Sequence, residues 1–267
     1  MKKSVIPFLI FILVFFYQYG LIPFPPADPG SVRMIAHRGD SRHTPENTLP
    51  AFESAIQNNA ECIEMDIRCT RDGVPVIFHD ASLYRLTGKK KRLSDISCRD
   101  FLSSPLISSG SAENCPRVTP CTLEQALIFC GNTPGLCLHL ELKVRGIEEK
   151  VVSLIRKYDS VCSYEISSSD PVVLQNIRHL APDIETFLLL SSASDVCEYL
   201  AKNPEGIDGI SVKSVYITAF LTTCVHNRNQ KIYAWTVNHP LQMRRLCRLR
   251  VNGIITDNPP LFQKTLS

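Results

Sequence analysis

Val32-Arg-Met-Ile-Ala-His-Arg-Gly39 is a short apolar run that ends on a histidine, an arginine and a glycine. A polar turn follows, Asp40-Ser-Arg-His-Thr44, and then Pro45-Glu-Asn-Thr48 opens a stretch with helical spacing. Two readings of that strand end compete. Strands end in polar residues because they reach water, or a site lies there. How the other strands end decides between them.

Working outward, apolar runs of strand length recur. They cover Val32–Ala36, Cys62–Ile67, Val74–Phe78, Leu136–Leu142, Ser163–Ser167, Thr186–Leu190, Gly209–Val212, Ile232–Val237 and Gly253–Thr256. Amphipathic helical patterns lie between many of them, as in Leu49–Asn58, with apolar residues at 49, 52, 55 and 56. Strand and helix alternating in this way imply parallel strands. A chain of 267 residues closes them most economically as a (β/α)₈ TIM barrel. The rhythm fails twice. Arg71-Asp-Gly-Val74 is a turn with no room for a crossover helix, so the barrel should be irregular around strands 2 and 3, with a local hairpin. Residues 81–118, rich in Ser, Lys and Arg, show no clear strand and read as a small inserted subdomain after strand 3. Residues 1–30 are a hydrophobic segment and linker, and 31–267 form the barrel domain.

The polar strand ends gather in one pattern. His37-Arg38-Gly39 ends the first strand, Glu64 and Asp66 lie on the second, and His79-Asp80 ends the third. Glu141 and Lys143 lie on the fourth, Trp235 on a late strand, and Thr256-Asp257 ends the last. In a parallel barrel the C-terminal strand ends share one face, where active sites of this fold sit. Residues two apart leave the same side of a strand, so Glu64 and Asp66 project together. Three carboxylates gathered at about 4 Å repel by roughly 4 kcal/mol per pair at an effective dielectric near 20. A hard divalent cation offsets this, and an all-oxygen ligand set favours Mg²⁺ or Ca²⁺ over zinc. Each acid alone reads equally as a salt-bridged barrel residue; together with two histidines they mark a site. His37 and His79 suit acid–base catalysis because imidazole titrates near neutrality. Arg38 offers a planar fork for phosphate and Lys143 a point charge. Trp235 reads either as a wall for an apolar or glycerol group or as barrel filling. Thr48 fits a helix N-cap with Pro50 in the first turn. Cations, histidines and a metal cluster together describe a site for a phosphate ester.

Charge and composition narrow the partners. Net charge is +3 with no concentrated basic face, so nucleic acid is not favoured. Lys89-Lys-Lys-Arg92 reads as a solvated loop, or else as a contact for anionic head groups. The eleven cysteines are odd in number and lack CxxC spacing. Cys115 with Cys121 is the pair most readily read as a bridge, but the default for the cysteines is a set of small buried apolar residues. At the N-terminus, Met1-Lys-Lys3 precedes an uncharged stretch from Val5 to Phe24, close to the roughly 20 residues that span a bilayer. This predicts a single-pass N-terminal membrane anchor with the catalytic domain outside the cytoplasm. The alternative is a cleaved signal and a secreted or periplasmic protein.

The ordered set His37-Arg38-Gly39, Pro45-Glu-Asn-Thr48, Glu64-x-Asp66, Asp72-Gly-Val-Pro-Val76, His79-Asp80, Leu86-Thr-Gly88, Glu141-Leu-Lys143, Trp235-Thr-Val-Asn238 and Thr256-Asp-x-Pro259 resembles the glycerophosphodiester phosphodiesterase family. The resemblance runs from about residue 32 to 260. It implies a phospholipase-C-like barrel and one divalent cation, Mg²⁺ or Ca²⁺, on Glu64, Asp66 and Glu141. It also implies His37 and His79 as the acid–base pair, with Arg38 and Lys143 on the phosphate. One departure stands out: Ser167-Ser-Ser-Asp170 replaces the Ser-Phe that often closes the fifth strand, which puts an aromatic wall in question. The expected reaction is hydrolysis of a glycerophosphodiester to glycerol phosphate and an alcohol. The alternatives are lysophospholipase D-type hydrolysis of lysophospholipids, and an inactive barrel that binds phospholipid head groups.

Overall fold

In the computed structural model, residues 14–16, 18–19, 32–106, 118–158, 161–202 and 204–266 are described. The strands are β1 (Arg33–His37), β2 (Cys62–Cys69), β3 (Pro75–Ile77), β4 (Cys137–Leu142), β5 (Ser163–Ser168), β6 (Glu185–Leu190), β7 (Gly209–Lys213), β8 (Lys231–Trp235) and β9 (Gly253–Thr256). The helices are α1 (Leu49–Gln57), α2 (Tyr84–Thr87), α3 (Cys98–Leu102), α4 (Leu123–Cys130), α5 (Glu148–Lys157), α6 (Pro171–Leu180), α7 (Ala193–Lys202), α8 (Ala219–Asn227), α9 (Pro240–Arg248) and α10 (Pro259–Leu266).

Sheet order is β1-β9-β8-β7-β6-β5-β4-β2-β3, and a further β1–β2 pairing closes the ring. Every pair around the ring is parallel. The exception is β3, which runs antiparallel along β2 and stays outside the ring. The turn before Val74 accounts for this, because no crossover helix fits between β2 and β3. Thus nine strands build a closed eight-stranded (β/α)₈ barrel with one hairpin appended.

Period-two alternation divides each strand between two cores. One face packs on the helices, and Ile63, Met65, Leu138, Leu140, Ile210 and Ile254 are all fully buried there. The other face fills the barrel with Ile35, Cys62, Cys137, Phe187, Tyr233 and Ile255. Phe187 and Tyr233 stack at 4.5 Å between centroids. Glycine makes room for them: a Cβ at Gly209 would run into the Phe187 ring, and one at Gly253 would lie 2.7 Å from Tyr233 Cδ1. Below this layer Glu165 takes Arg33 Nη1 at 2.6 Å, His139 Nδ1 at 2.9 Å and Tyr233 Oη at 3.0 Å. Burial alone would raise the Glu165 carboxyl, but the His139 hydrogen bond and the Arg33 charge outweigh it and hold the pKa down at about 2. Cys62 and Cys137 approach this carboxylate closely enough to form a second potential metal-ligand group. Its carboxylate is already neutralised by Arg33. Cys62, Cys121, Cys130 and Cys137 are buried free thiols, and Cys115 lies outside the described residues.

Between β3 and α4 the chain forms α2, a 3₁₀ turn at Leu93–Asp95 and α3. Phe78, Leu83, Leu86, Leu93 and Phe101 bury one another in a small core of their own. Phe78 meets Phe101 edge to face at 5.6 Å. Helix α10 carries no clear sequence signal beyond the prolines at 259 and 260. It packs on α9 and β1.

The expected N-terminal anchor is corrected here. Among the described residues no helix is long and apolar enough to cross a membrane. The described part of the segment is hydrogen-bonded to the barrel domain instead. Gln18 Oε1 accepts from the Phe220 amide at 2.9 Å, and the Tyr19 carbonyl accepts from Arg245 Nε at 2.7 Å. Residues 5–13, 17 and 20–24 of the predicted span lie outside the described residues.

Candidate active site

The C-terminal rim begins with a strained turn. Arg38 sits at φ 57° and Gly39 at φ 81°. A side chain is disfavoured in this left-handed region, and at Gly39 a Cβ would also lie 2.6 Å from the Ala51 backbone. The turn aims the Arg38 amide at Glu64 Oε2, 2.9 Å away. Arg38 Nη1 then donates to Glu46 Oε1 at 2.7 Å, and its Nε lies 3.0 Å from Asp66 Oδ2.

Thr48 caps α1 by accepting from the Ala51 amide at 3.3 Å, and its hydroxyl donates to the Pro45 carbonyl at 2.6 Å. That fold of the loop leaves Asn47 at φ 58°, wholly buried, with Nδ2 donating to Asp66 Oδ2 at 2.8 Å. Glu46 faces out of the same loop. It accepts Arg38 on one side and Arg85 of α2 on the other, at 2.7 and 2.8 Å.

Each histidine has a carboxylate on Nδ1. His37 is held by Asp257 at 2.6 Å, and Asp257 also accepts from Ser41 Oγ at 3.0 Å and from Asn238 Nδ2. His79 is held by Asp80 at 2.6 Å, and Asp80 accepts from Arg85 Nε at 2.6 Å. Nε2 is therefore the nitrogen left without a hydrogen bond on both rings among the described residues; on His37 it lies 4.0 Å from Glu64 Oε2.

Glu64, Asp66 and Glu141 each place a carboxylate oxygen within 4.8 Å of the others. Lys143 Nζ bridges two of them, 3.0 Å from Asp66 Oδ1 and 2.6 Å from Glu141 Oε1. Among the described residues Glu64 Oε1 is buried without a hydrogen-bond partner, and Asp66 Oδ1 has only the Lys143 ion pair. Burial, then the Asp66 charge, pushes Glu64 up to about 8. Asp66 is equally buried, yet Lys143 and Arg38 hold it well below the usual carboxylate range. For His37, burial works against the charged form, but the Asp257 hydrogen bond and Glu64 outweigh it and raise the pKa. Burial lowers His79. Three acids, one oxygen unpaired and one carboxyl pushed toward neutrality, fit a hard cation: a dication would satisfy the orphaned oxygen and favour the ionised form.

These side chains surround a cavity of about 130 Å³ lined by His37, Arg38, Glu64, His79, Glu141, Lys143 and Trp235, with Ser167, Leu189 and Ser211 along its wall. Larger clefts lie elsewhere, about 710 Å³ beside α4 and about 480 Å³ outside Glu165, but neither contains the histidines or the acid triad. All eight residues expected at the site thus meet at one end of the barrel. Trp235 lines the cavity rather than only filling the barrel, and its Nε1 donates to the Ser211 carbonyl at 3.0 Å. Asn47, Asp80, Arg85 and Asp257 were not expected to hold the site. Three of them sit inside the quoted motifs, and Arg85 directly precedes Leu86-Thr-Gly88.

The sequence matches the model of the Glycerophosphoryl diester phosphodiesterase family over residues 37–261. The chain belongs to this family. It is a phosphodiesterase. A glycerophosphodiester phosphodiesterase of Caldanaerobacter subterraneus subsp. tengcongensis is 30% identical over 232 residues, covering 85% of this chain and 94% of that one. Among solved structures, a glycerophosphodiester phosphodiesterase from Thermotoga maritima superposes with a TM-score of 0.69 at 25% identity, covering 87% of this chain and 97% of that one. An Oleispira antarctica phosphodiesterase, solved with the product sn-glycerol-3-phosphate, gives 0.77 at 23% identity, covering 90% and 98%.

Proposed function

We propose that this phosphodiesterase hydrolyses glycerophosphodiesters to glycerol phosphate and an alcohol, by histidine acid–base catalysis beside a divalent cation. The observation that carries the reading is the convergence of Glu64, Asp66 and Glu141 within 4.8 Å, beside a histidine whose Nε2 is free. Glu64, Asp66 and Glu141 would hold the cation, and their all-oxygen set favours Mg²⁺ or Ca²⁺. When bound, it would neutralise non-bridging phosphate oxygens and the charge that develops on them.

Arg38 and Lys143 bind the phosphate. Both are already tied to Asp66, so their positions are set before substrate arrives. A hydroxyl attacks phosphorus, either the substrate's own or that of water. One histidine takes its proton at Nε2, the bond from phosphorus to the alcohol oxygen breaks, and the other histidine protonates that oxygen; where the substrate's own hydroxyl attacked, the product of this step is a cyclic phosphate, which water opens to glycerol phosphate with the histidines in exchanged roles. Asp257 and Asp80 keep both rings on the tautomer that leaves Nε2 facing the cavity, and steady the imidazolium when it forms.

The test is turnover of glycerophosphocholine, with and without EDTA, with Mg²⁺ or Ca²⁺ added back. Activity should vanish on chelation, return on add-back, and drop at least about 100-fold in His37→Ala and in His79→Ala. Full activity in either histidine variant would end this reading. Lysophosphatidylcholine belongs in the same panel.

A further inference from the structure

Among the described residues, the buried side-chain nitrogens and oxygens without a hydrogen-bond partner are Arg38 Nε, Glu64 Oε1, Asp66 Oδ1, Ser167 Oγ and Ser211 Oγ. All five belong to the catalytic site. The first three have work in the proposed reaction, on phosphate or cation. The two serine hydroxyls have none, and each residue is only 1% exposed.

Their placement follows from strand register. Ser167 of β5 lies beside Glu141 of β4, so it borders the acid triad. Ser211 of β7 lies beside Leu189 of β6, and its carbonyl anchors the Trp235 indole. The cavity wall therefore alternates hydroxyl, apolar side chain, hydroxyl and aromatic ring. Polyols alternate in the same way, with apolar C–H faces between hydroxyl groups. A serine hydroxyl rotates to donate or accept, so each can meet an alcohol in either sense. Left without a partner, a buried hydroxyl pays a desolvation penalty that such a ligand removes.

We propose that Ser167 and Ser211 are specificity-determining residues that bind the free hydroxyls of the substrate's glycerol group, with Leu189 and Trp235 against its carbons. The assignment rests on the glycerophosphodiester reading above. It also ranks substrates. Acylation of a glycerol hydroxyl removes a donor and adds bulk in a space of about 130 Å³, so lysophospholipids are disfavoured.

Two diesters separate the possibilities: glycerophosphocholine, and bis(para-nitrophenyl) phosphate, which has no glycerol. For Ser167→Ala and for Ser211→Ala, the ratio of kcat/KM on the first to kcat/KM on the second should fall roughly ten-fold each, and further in the double variant. Melting temperatures should hold or rise, because an unpartnered hydroxyl does not stabilise the free protein. An unchanged ratio in active variants, or a lower melting temperature with equal loss on both diesters, would overturn the serine assignment alone. Lysophosphatidylcholine turned over as well as glycerophosphocholine would overturn it too. Wild-type protein that cleaves the nitrophenyl diester but not glycerophosphocholine would instead overturn the parent reading of the substrate.

Discussion

His37 Nδ1 and Asp257 Oδ1 lie 2.6 Å apart, although 220 positions separate them in the chain. The pair exists because β9 closes the barrel against β1, in register from Arg33–Gly253 to Ala36–Thr256. Burial alone would raise the Asp257 carboxyl, but the His37 hydrogen bond and charge outweigh it and hold the pKa at about 2, so the carboxylate is charged at any working pH. Its other partners, Ser41 and Asn238, fix its direction.

Asp257→Asn should therefore keep the fold but lose control of the His37 tautomer. The expected result is a kcat about 100-fold lower with KM within a few-fold of wild type. Steady-state kinetics on glycerophosphocholine provide the measurement, and an unaltered kcat would remove Asp257 from the mechanism.

Arg85 joins α2 to the rim that carries both histidines. It holds Asp80, which orients His79, and Glu46, which orients Arg38. Arg85→Ala should release both at once and lower kcat/KM by roughly ten-fold. A double-mutant cycle with Glu46→Gln should show strongly non-additive losses, whereas independent residues would give additive ones.

Gly39→Ala tests the strained turn. The new methyl would meet the Ala51 backbone at 2.6 Å, at a φ of 81° that alanine rarely adopts. Destabilisation of about 2–4 kcal/mol is expected. Urea denaturation measures it, and a loss below about 1 kcal/mol would show that the turn can shift without cost.

Glu165 predicts how stability depends on pH. Its pKa falls from an ordinary 4.5 to about 2 in the folded barrel. A depressed folded pKa contributes stability that is complete above the unfolded value and is lost as pH falls through the folded one. The contribution is on the order of 3 kcal/mol, disappearing between about pH 4.5 and pH 2. Glu165→Gln should be less stable at neutral pH, because Arg33 loses its buried partner, and its melting temperature should fall less steeply with acid. Thermal melts of both proteins from neutral to acid pH decide it; parallel curves would contradict the assignment.

Much of the barrel is legible locally. Helix α6, Pro171–Leu180, follows from its apolar spacing, and Asp170 caps its first turn. Thr48 is likewise a cap that sequence alone identifies. The hairpin of β2 and β3 follows from the length of the Arg71–Val74 turn. Less legible were α10, whose only local signal is the pair of prolines at its start, and the N-terminal segment, where hydropathy does not reveal that Tyr19 and Gln18 bond to the barrel domain.

The chain's own order of residues determined which side chains stand at strand ends and which share a strand face, because alternation along an extended backbone is a local property. It thereby singled out His37, His79 and the acids at 64, 66 and 141 as candidates. Only the closed barrel decided what those residues touch. Whether Asp257 meets His37, whether Arg85 spans Glu46 and Asp80, and whether two serine hydroxyls stay unpaired depend on register between strands and on which element folds over the rim. Those contacts join distant positions, and short-range spacing carries no record of them.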